Sequence, residues 1–372
     1  MGIDILEKIH VAFGRGEYNY PYFLGDHCTD ALTAEVMALG PDRIVIVADE
    51  TVWALHGNSF GGLRSAVVPV LVITLPAGEQ AKRVDVLSNV LRQALDWGVT
   101  RRSVVLTFGG GAAGNLGGLA ASLLFRGIRL VHMPTTTIAA FDSVLSMKQA
   151  INSDAGKNQI GTYHRPSAVL VDVQWFDTLD SDVARGGWCE GAKNCLAIEP
   201  SAMSTLTSLA SERDRRRKWQ TLLEISLRAK RAVMIDDHFE RSHGLILEYG
   251  HTVGHAIEYA AAVLHGDAIA LGMIVAAEIS CELNYLTAAA VEQHRSLLAV
   301  LGAPTRLPED VDVARIMDIV RQDNKRGLIG CGEDEIPMVL LERLGAPVTS
   351  NGSLPLVPVP VVLVETVLRR LS

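Results

Sequence analysis

Residues 103–133 read SVVLTFGGGAAGNLGGLAASLLFRGIRLVHM. A β-branched run at 103–108 passes directly into glycines, a small-residue stretch with helical spacing follows, and a second β-branched run closes the segment at 128–133. Strand, glycine turn, helix and strand in that order make the repeating unit of a parallel sheet covered by helices. Working outward, 43–48 (RIVIVA) and 66–75 (AVVPVLVITL) add strands before it, and AVLVDV adds one after it, ending at residue 173. Residues 1–180 are therefore expected to form a Rossmann-like α/β domain.

From about residue 181 the period changes. The stretches 218–234, 250–263, 267–285, 289–301 and 311–321 space their apolar residues at three and four, so 181–372 reads as a mostly α-helical second domain. Gly345–Pro360, rich in Pro, Val and Gly, reads as an extended segment.

Composition limits what such a body does. In 372 residues, 48% are hydrophobic and 20% charged, as in globular enzymes, and 34 basic against 42 acidic residues give a net charge of −8. The one basic run, Arg213–Lys218, is diluted by Glu212 and Asp214, so nucleic acid is not an expected partner. Cys28, Cys189, Cys195, Cys281 and Cys331 are odd in number and scattered, which suits a reducing cytoplasm better than a disulfide framework. The N-terminal MGIDILEKIH carries charges where a leader needs apolar residues, and Leu6 stands where a myristoylation signal needs Ser or Thr. No uninterrupted apolar stretch reaches about 18 residues, so no membrane partner is expected.

Four constellations carry chemistry. Gly109, Gly111 and Gly114 satisfy G-x-G-x-x-G between a strand and a helix, where backbone N–H groups can hold a pyrophosphate; the same glycines also suit a tight turn under a closely packed helix. The acid usual about 20 residues later is missing, but Asp49 closes the earlier strand in IVIVADET. His251 and His255 stand four apart in EYGHTVGHAIE, and His265 follows in LHGD. Three such imidazoles suit a divalent metal, though an i,i+4 pair is equally at home as a solvated or core pair. Glu190 and Lys193 in GGWCEGAKN share one helix face, either as a surface ion pair or, given Trp188, Cys189, Cys195 and Leu196 around them, as a buried paired or metal-bound carboxylate. Finally, residues 134–161 concentrate Thr135, Thr136, Asp142, Lys148, Asn152, Lys157 and Asn158, the ammonium and amide groups that a polyhydroxylated anion needs.

Eight ordered blocks bring these together: GGGAAGNLGG, FRGIRLVHMPTT, FDSVLSMKQAIN, GKNQIG, CEGAKN, LEYGHTVGHAIE, HGDAIALGM and QDNKRG. In order and spacing they resemble the sugar-phosphate cyclases typified by dehydroquinate synthase, over roughly residues 40–330. The resemblance implies an N-terminal NAD-binding α/β domain and a C-terminal helical domain for metal and substrate. It implies NAD held by Asp49, Glu79, Lys82, Gly110, Gly111, Asn115, Thr135, Thr136, Asp142, Lys157 and Thr178, and Co2+ or Zn2+ held by Glu190, His251 and His265. It further implies Lys148, Lys193, Glu248 and His255 as catalytic groups. Arg126, Lys148, Asn158, Lys230, His255 and Lys325 are implied as substrate contacts, with Arg126 serving the neighbouring subunit of a homodimer.

The chain also departs from dehydroquinate synthase. Asn115 stands where that enzyme has Asp, and GLILE replaces its Arg-Asn-Leu-Leu-Asn run, putting Gly244 at the arginine that helps hold a substrate carboxylate and Glu248 at the last asparagine. Losing a guanidinium and gaining a carboxylate makes a pocket hostile to carboxylate substrates. A neutral sugar phosphate, D-glucose 6-phosphate, is the implied substrate, with sedoheptulose 7-phosphate cyclases and metal-dependent polyol dehydrogenases as alternatives. From its place beside His251 at i,i+3, Glu248 is expected to project toward the metal from the same helix start.

Overall fold

The computed structural model describes residues 6–65, 68–154, 156–309, 311–349 and 354–372. Residues 1–5 of the stretch read above for a leader or lipid signal, residues 66–67 of the second expected strand and residues 350–353 of the Pro/Val-rich segment lie outside the described residues. Two compact units divide the chain at 1–179 and 180–372.

The first unit runs β1 (Glu7–Phe13), β2 (Tyr18–Gly25), α1 (Thr29–Ala38), β3 (Ile44–Asp49), α2 (Glu50–His56), α3 (Gly61–Ser65), β4 (Val70–Leu75), α4 (Val84–Asp96), β5 (Val104–Gly109), α5 (Gly111–Leu123), β6 (Arg129–Pro134), β7 (Lys148–Ser153), β8 (Gly156–Tyr163) and β9 (Ala168–Asp172). Its main sheet has the order β1-β2-β9-β6-β5-β3-β4, parallel except for β1 against β2. Alternate residues face opposite helical layers: Val45, Val47 and Val105 pack with Leu116 and Ala120, whereas Ile44, Ile46, Leu106 and Phe108 pack with Leu32 and Trp175. Burial on both faces is why these strands read as unbroken apolar runs.

From β3 the chain steps to β4 on one side, then returns to place β5 on the other and continues outward through β6 and β9. The direction of winding thus reverses between β3 and β5. Loops leaving the carboxyl ends of strands diverge at such a point and leave a crevice for a ligand. Gly109 ends β5 there beside Asp49, and a Cβ on Gly109 would lie 3.0 Å from that of Asp49.

The β1–β2 hairpin is an addition to the sequence reading. Glu7, Lys8 and His10 interrupt the apolar pattern of β1, and its reversal uses Gly14, Arg15 and Gly16, all at positive φ. The hairpin has a local purpose: buried Tyr20 and Tyr22 donate to the Val144 and Ala140 carbonyls at 2.6 and 2.9 Å and so brace the π-helical turn Ala139–Ser143. The polar stretch after it forms a second hairpin, with Lys148 of β7 opposite Tyr163 of β8.

The second unit comprises α6 (Ser181–Ala197), α7 (Met203–Leu209), α8 (Arg215–Met234), α9 (His251–Ala261), α10 (His265–Glu282), α11 (Ala288–Val300), α12 (Val313–Val320), β10 (Glu335–Met338), β11 (Leu341–Arg343), β12 (Ala346–Pro347), β13 (Val357–Pro360) and α13 (Val361–Leu371). Helix α10 is buried along most of its length and packs against α6, α9, α11 and α13. It approaches α9 and α6 closely because Gly272 lies on the Gly250 carbonyl and Gly266 lies on Gly186, with no room for a Cβ at either place. The described part of Gly345–Pro360 carries the strands β12 and β13, and a helix follows it. Strand β13 pairs with β10, and α13 then buries Val361, Val364, Val367, Leu368 and Leu371, a periodicity the sequence reading passed over. No helix among the described residues is long and apolar enough to cross a membrane.

Candidate active site

Helix α6 carries Glu190 into the second unit's interior at 0% exposure. A bare carboxylate there is untenable without partners, since desolvation costs several kcal/mol or more. It has three: Lys193 Nζ at 2.5 Å from Oε2, and Nε2 of His265 and His251 at 3.4 and 3.7 Å from Oε1. Neither oxygen receives a hydrogen bond of good direction, so the contacts are of charge and leave lone pairs to spare. Burial opposes charge on Glu190, but Lys193 and the imidazoles outweigh it and hold the carboxyl well below its ordinary range. His265 is likewise opposed by burial, yet the carboxylates of Glu190 and Glu258 beside it push it up to about 10.

A proton on His265 therefore balances this carboxylate pocket. A divalent cation would do the same with better-matched donors: one ligand atom each from Glu190, His251 and His265 lies within 4.8 Å of the others, an O,N,N set suited to zinc or cobalt. The imidazoles are oriented for it. His251 Nδ1 donates to the Tyr249 carbonyl at 3.1 Å, leaving Nε2 to face Glu190. His265 Nδ1 lies 3.0 Å from Glu258 Oε2, so its Nε2 also turns inward. The sequence reading quoted Glu258 in GHAIE without a role; its signal was a carboxylate one turn beyond His255 on the same helix.

His255 sits one turn along α9, its ring 5.1 Å from that of His251 and 5.8 Å from that of His265. Burial, then the neighbouring His251, pushes it down to about 3, a neutral imidazole. Glu248 is placed differently from the expectation. It ends a separate 3-10 turn, His243–Glu248, and an extended Tyr249 and a left-handed Gly250 (φ 79°) intervene before α9 begins. The i,i+3 relation to His251 therefore does not exist. Glu248 still lies near enough to act electrostatically on His251 and His255, and it faces Lys325, whose ammonium lies 3.5 Å from it and 3.1 Å from Asp323. Two carboxylates already share that buried ammonium, an arrangement that favours holding Glu248 over binding a phosphate. Lys230 is buried on α8, one turn beyond Ser226, which accepts from Asn194 of α6 at 3.5 Å.

Gly244 has a physical reason of its own. Its N–H donates to Asp237 Oδ2 at 2.8 Å, and a Cβ would meet the same oxygen at 2.8 Å. The carboxylate cannot swing aside freely because Arg241 and Ser242 N–H groups also hold it, at 2.9 and 2.8 Å.

In the first unit, Gly109 (φ 151°), Gly110 and Gly111 lead into the N-terminus of α5, and a Cβ on Gly110 would press on Thr136 at 3.2 Å. Together with Asn115, His132, Ser143 and Lys148 they line a small cavity at the end of β5. The Thr135 hydroxyl is buried with no hydrogen bond, a donor and acceptor of the kind a nucleotide satisfies. Asn115 bridges the turn to the hairpin: Nδ2 donates to the Gly111 carbonyl at 2.9 Å and Oδ1 accepts from Ala150 N–H at 3.0 Å. Gly117 and Gly118 serve packing. Their missing Cβ atoms make room for Thr107 and Gln149, which flank the buried His132 at 2.8 and 3.4 Å.

The remaining expected nucleotide and substrate residues fall into smaller groups. Asp49 Oδ1 caps α2 through Thr51 and Val52 N–H, and Oδ2 accepts from Gly78 N–H at 3.2 Å. Buried Lys82 donates to Asn158, itself at φ 57°, and lies 3.7 Å from Glu79, which accepts from Asn152 at 2.8 Å. Thr178 meets His56 at 2.8 Å. Lys157 lies on β8, one residue before Asn158. Arg126 is exposed in a run of positive φ from Phe125 to Gly127.

The 3-dehydroquinate synthase N-terminal family model matches residues 72–185, and the C-terminal model matches 187–326. The 2-deoxy-scyllo-inosose synthase of Streptoalloteichus tenebrarius is 43% identical over 364 residues, 96% of this chain and 94% of that protein. A crystal structure of 2-deoxy-scyllo-inosose synthase complexed with carbaglucose-6-phosphate, NAD+ and Co2+ superposes with a TM-score of 0.88 at 33% identity, over 98% of this chain and all of that one. The NAD+- and Zn2+-bound 2-epi-5-epi-valiolone synthase of Streptomyces hygroscopicus subsp. jinggangensis 5008 gives 0.80 at 25% identity, over 100% and 99% of the two chains. With both family models matched in order across the glycine turn and the Glu190, His251 and His265 cluster, the chain belongs to the 3-dehydroquinate synthase family.

Proposed function

We propose that this protein is a 2-deoxy-scyllo-inosose synthase, converting D-glucose 6-phosphate into a six-membered carbocycle and inorganic phosphate in the biosynthesis of 2-deoxystreptamine aminoglycosides. The observation that carries the reading is the fully buried Glu190 facing two imidazole nitrogens and an ammonium, in a relative of 2-deoxy-scyllo-inosose synthases at 43% identity. Glu190, His251 and His265 would hold Co2+ or Zn2+, and the glycine turn would hold NAD. When bound, the metal supplies Lewis acidity toward vicinal hydroxyls and NAD supplies a hydride acceptor regenerated within each turnover. The overall change is loss of phosphate with no net redox, the carbon released from phosphate becoming joined to the aldehyde carbon.

The chain's own residues then divide the work. Backbone N–H groups at Gly110 and Gly111 and the start of α5 bind the dinucleotide phosphates, with Asn115, Thr135, Thr136 and Asp142 around them. Asp49, Glu79, Lys82, Lys157 and Thr178 shape the remaining nucleotide contacts. Lys148, Lys193 and Lys230 supply positive charge for the sugar hydroxyls and phosphate, with Asn158 as a further polar contact. Neutral His255 would take or give a proton at the substrate, and Glu248, held by Lys325, would serve proton transfer or orient a hydroxyl. Arg126 is assigned to the phosphate site of a second copy in a homodimer. The setting read for this chemistry is the cytoplasm.

The test is phosphate release from D-glucose 6-phosphate with NAD and Co2+. Release that requires NAD without accumulating NADH supports the cyclase. NADH formed in proportion to substrate would favour a polyol dehydrogenase, and release from a seven-carbon substrate alone would favour the valiolone or dehydroquinate branches. For the dimer, inactive Arg126→Ala and Lys193→Ala proteins mixed after denaturation should recover part of the activity, because one mixed site keeps both residues.

A further inference from the structure

His294 is a histidine with no exposed surface on α11, and nothing in the chemistry above uses it. Its hydrogen bonds fix its tautomer. Nδ1 lies 2.8 Å from the Ala290 carbonyl, which can only accept, so Nδ1 carries the proton. Nε2 is then a lone pair, 2.9 Å from the hydroxyl of Tyr249, which donates to it rather than to the Met273 carbonyl, farther away at 3.4 Å. Burial pushes His294 down to about 4, in keeping with that neutral form.

Tyr249 is also fully buried, and its backbone stands at the sharp corner before α9. The next residue, Gly250, is left-handed and wedged against α10, where a Cβ would meet Met273 N at 2.9 Å and the Ile269 carbonyl at 3.0 Å. The Tyr249 carbonyl accepts the proton of His251 Nδ1. Every proton from the Ala290 carbonyl to His251 is thus assigned, and the last of them dictates which nitrogen of His251 faces Glu190.

We infer that the His294–Tyr249 hydrogen bond is a positioning device for the metal centre, pinning the corner residue whose carbonyl sets the ring of His251. The inference rests on the proposed ligand set of Glu190, His251 and His265. His294 and Tyr249 touch no substrate, cofactor or reacting atom; they act through His251. A buried histidine–tyrosine pair in an otherwise apolar helix contact is costly unless every group is satisfied, and here each is.

The test uses Co2+ as the probe, reading its dissociation constant and visible absorption band on the full-length protein. Tyr249→Phe deletes one hydroxyl, and His294→Leu deletes the acceptor at similar volume. Groups that orient metal-bound histidines typically change affinity by about 10–100-fold, so each variant should weaken Co2+ binding about tenfold and shift the band. Tyr249→Phe combined with His294→Leu should be little weaker than either alone, because both act through one bond. Ser280→Ala, which removes a buried hydroxyl bonded to Ala276 and Leu341, is the control: it should lower thermal stability and leave Co2+ affinity unchanged. Tyr249→Phe protein with wild-type affinity and spectrum, whatever its melting temperature, would overturn the inference. The underlying ligand assignment is checked separately by Glu190→Gln. If that variant binds Co2+ like the wild type, the ligand set is wrong and the inference falls with it, whereas loss there with unchanged Tyr249→Phe removes only the positioning role.

Discussion

The two units build their sites from opposite materials. At the end of β5 the first unit offers backbone: glycines that let a helix N-terminus and its N–H groups come close, with side chains mainly bracing the turn. The second unit offers charge: a carboxylate at 0% exposure, an ammonium and imidazoles, each tolerable in the interior only because the others are there. A backbone cradle is defined by what is missing, the Cβ atoms, so its failures should be steric and graded. A cluster of buried charges is defined by mutual compensation, so losing one member should disable the whole.

The largest effect should therefore come from Glu190. Glu190→Gln removes the carboxylate 2.5 Å from buried Lys193 and one of the two carboxylates that face His265, and breaking a buried pair in this way typically costs about 3–5 kcal/mol. Metal content measured after dialysis should fall to background and phosphate release by at least about 1,000-fold, as expected when Lewis-acid assistance of several kcal/mol is lost. Retained metal would mean that the compensation argument fails for this cluster. Next come the two residues that separate holding metal from using it. His255→Ala should keep metal and lose rate by about 100-fold or more, the usual contribution of a positioned acid or base. Glu258→Ala should instead weaken metal binding by about 10–100-fold, since it frees the ring of His265. Equal metal loss in both would merge His255 into the ligand set.

The first unit should answer more gently. Gly118→Ala puts a methyl into Gln149, an overpacking of the kind that costs about 1–3 kcal/mol. Gly110→Ala meets only Thr136 at 3.2 Å and lies on the cradle itself, so it should weaken NAD binding while leaving the melting temperature nearly unchanged. A Gly118→Ala protein with normal stability and poor NAD affinity would reverse these roles and assign the second pair of glycines to the cofactor.

How far each site is legible in sequence follows from the same contrast. Glycine spacing after a strand is a local signal, and Gly109–Gly111 do form the turn it implies. Imidazoles at i,i+4 are also local, and His251 and His255 do share α9. What escaped depends on contacts between distant residues or on one backbone angle. Gly250 at φ 79° separates Glu248 from His251, which spacing alone places on one helix. Glu258, His294 and Asp323 gain roles only from what α10, the Tyr249 corner and Lys325 bring against them. The β1–β2 hairpin hid behind its charged edge residues, although Tyr20 and Tyr22 alternate inward on β2. In the polar stretch 134–161, the count of polar groups pointed to a ligand surface but gave no hint of the pairing of β7 with β8.

The smallest expected effect lies at Asp237, and it bears on substrate choice. Burial works against its charge, but N–H donors from Arg241, Ser242 and Gly244 outweigh that and hold its carboxyl below the ordinary aspartate range. A carboxyl lowered on folding contributes stability that is complete above its unfolded value and is lost as the pH falls through the folded one. The stability gap between wild type and Asp237→Asn, measured by urea unfolding, should thus be constant from neutral pH down to about 5 and shrink below about 4, near the ordinary aspartate range. A gap that persists unchanged to pH 2 would mean the loop does not depend on this charge. The same bonds explain why Gly244 is not simply a vacant place for an arginine. In Gly244→Arg the new Cβ would press on a carboxylate that three N–H groups hold in place, two of them on the very oxygen it meets, so the loop must shift before any guanidinium can point at a substrate. That variant should lose stability and still fail to cyclise a carboxylate-bearing heptulosonate phosphate. If it gained that activity, discrimination against carboxylates would reside in the single missing arginine rather than in the Asp237 loop built around its absence.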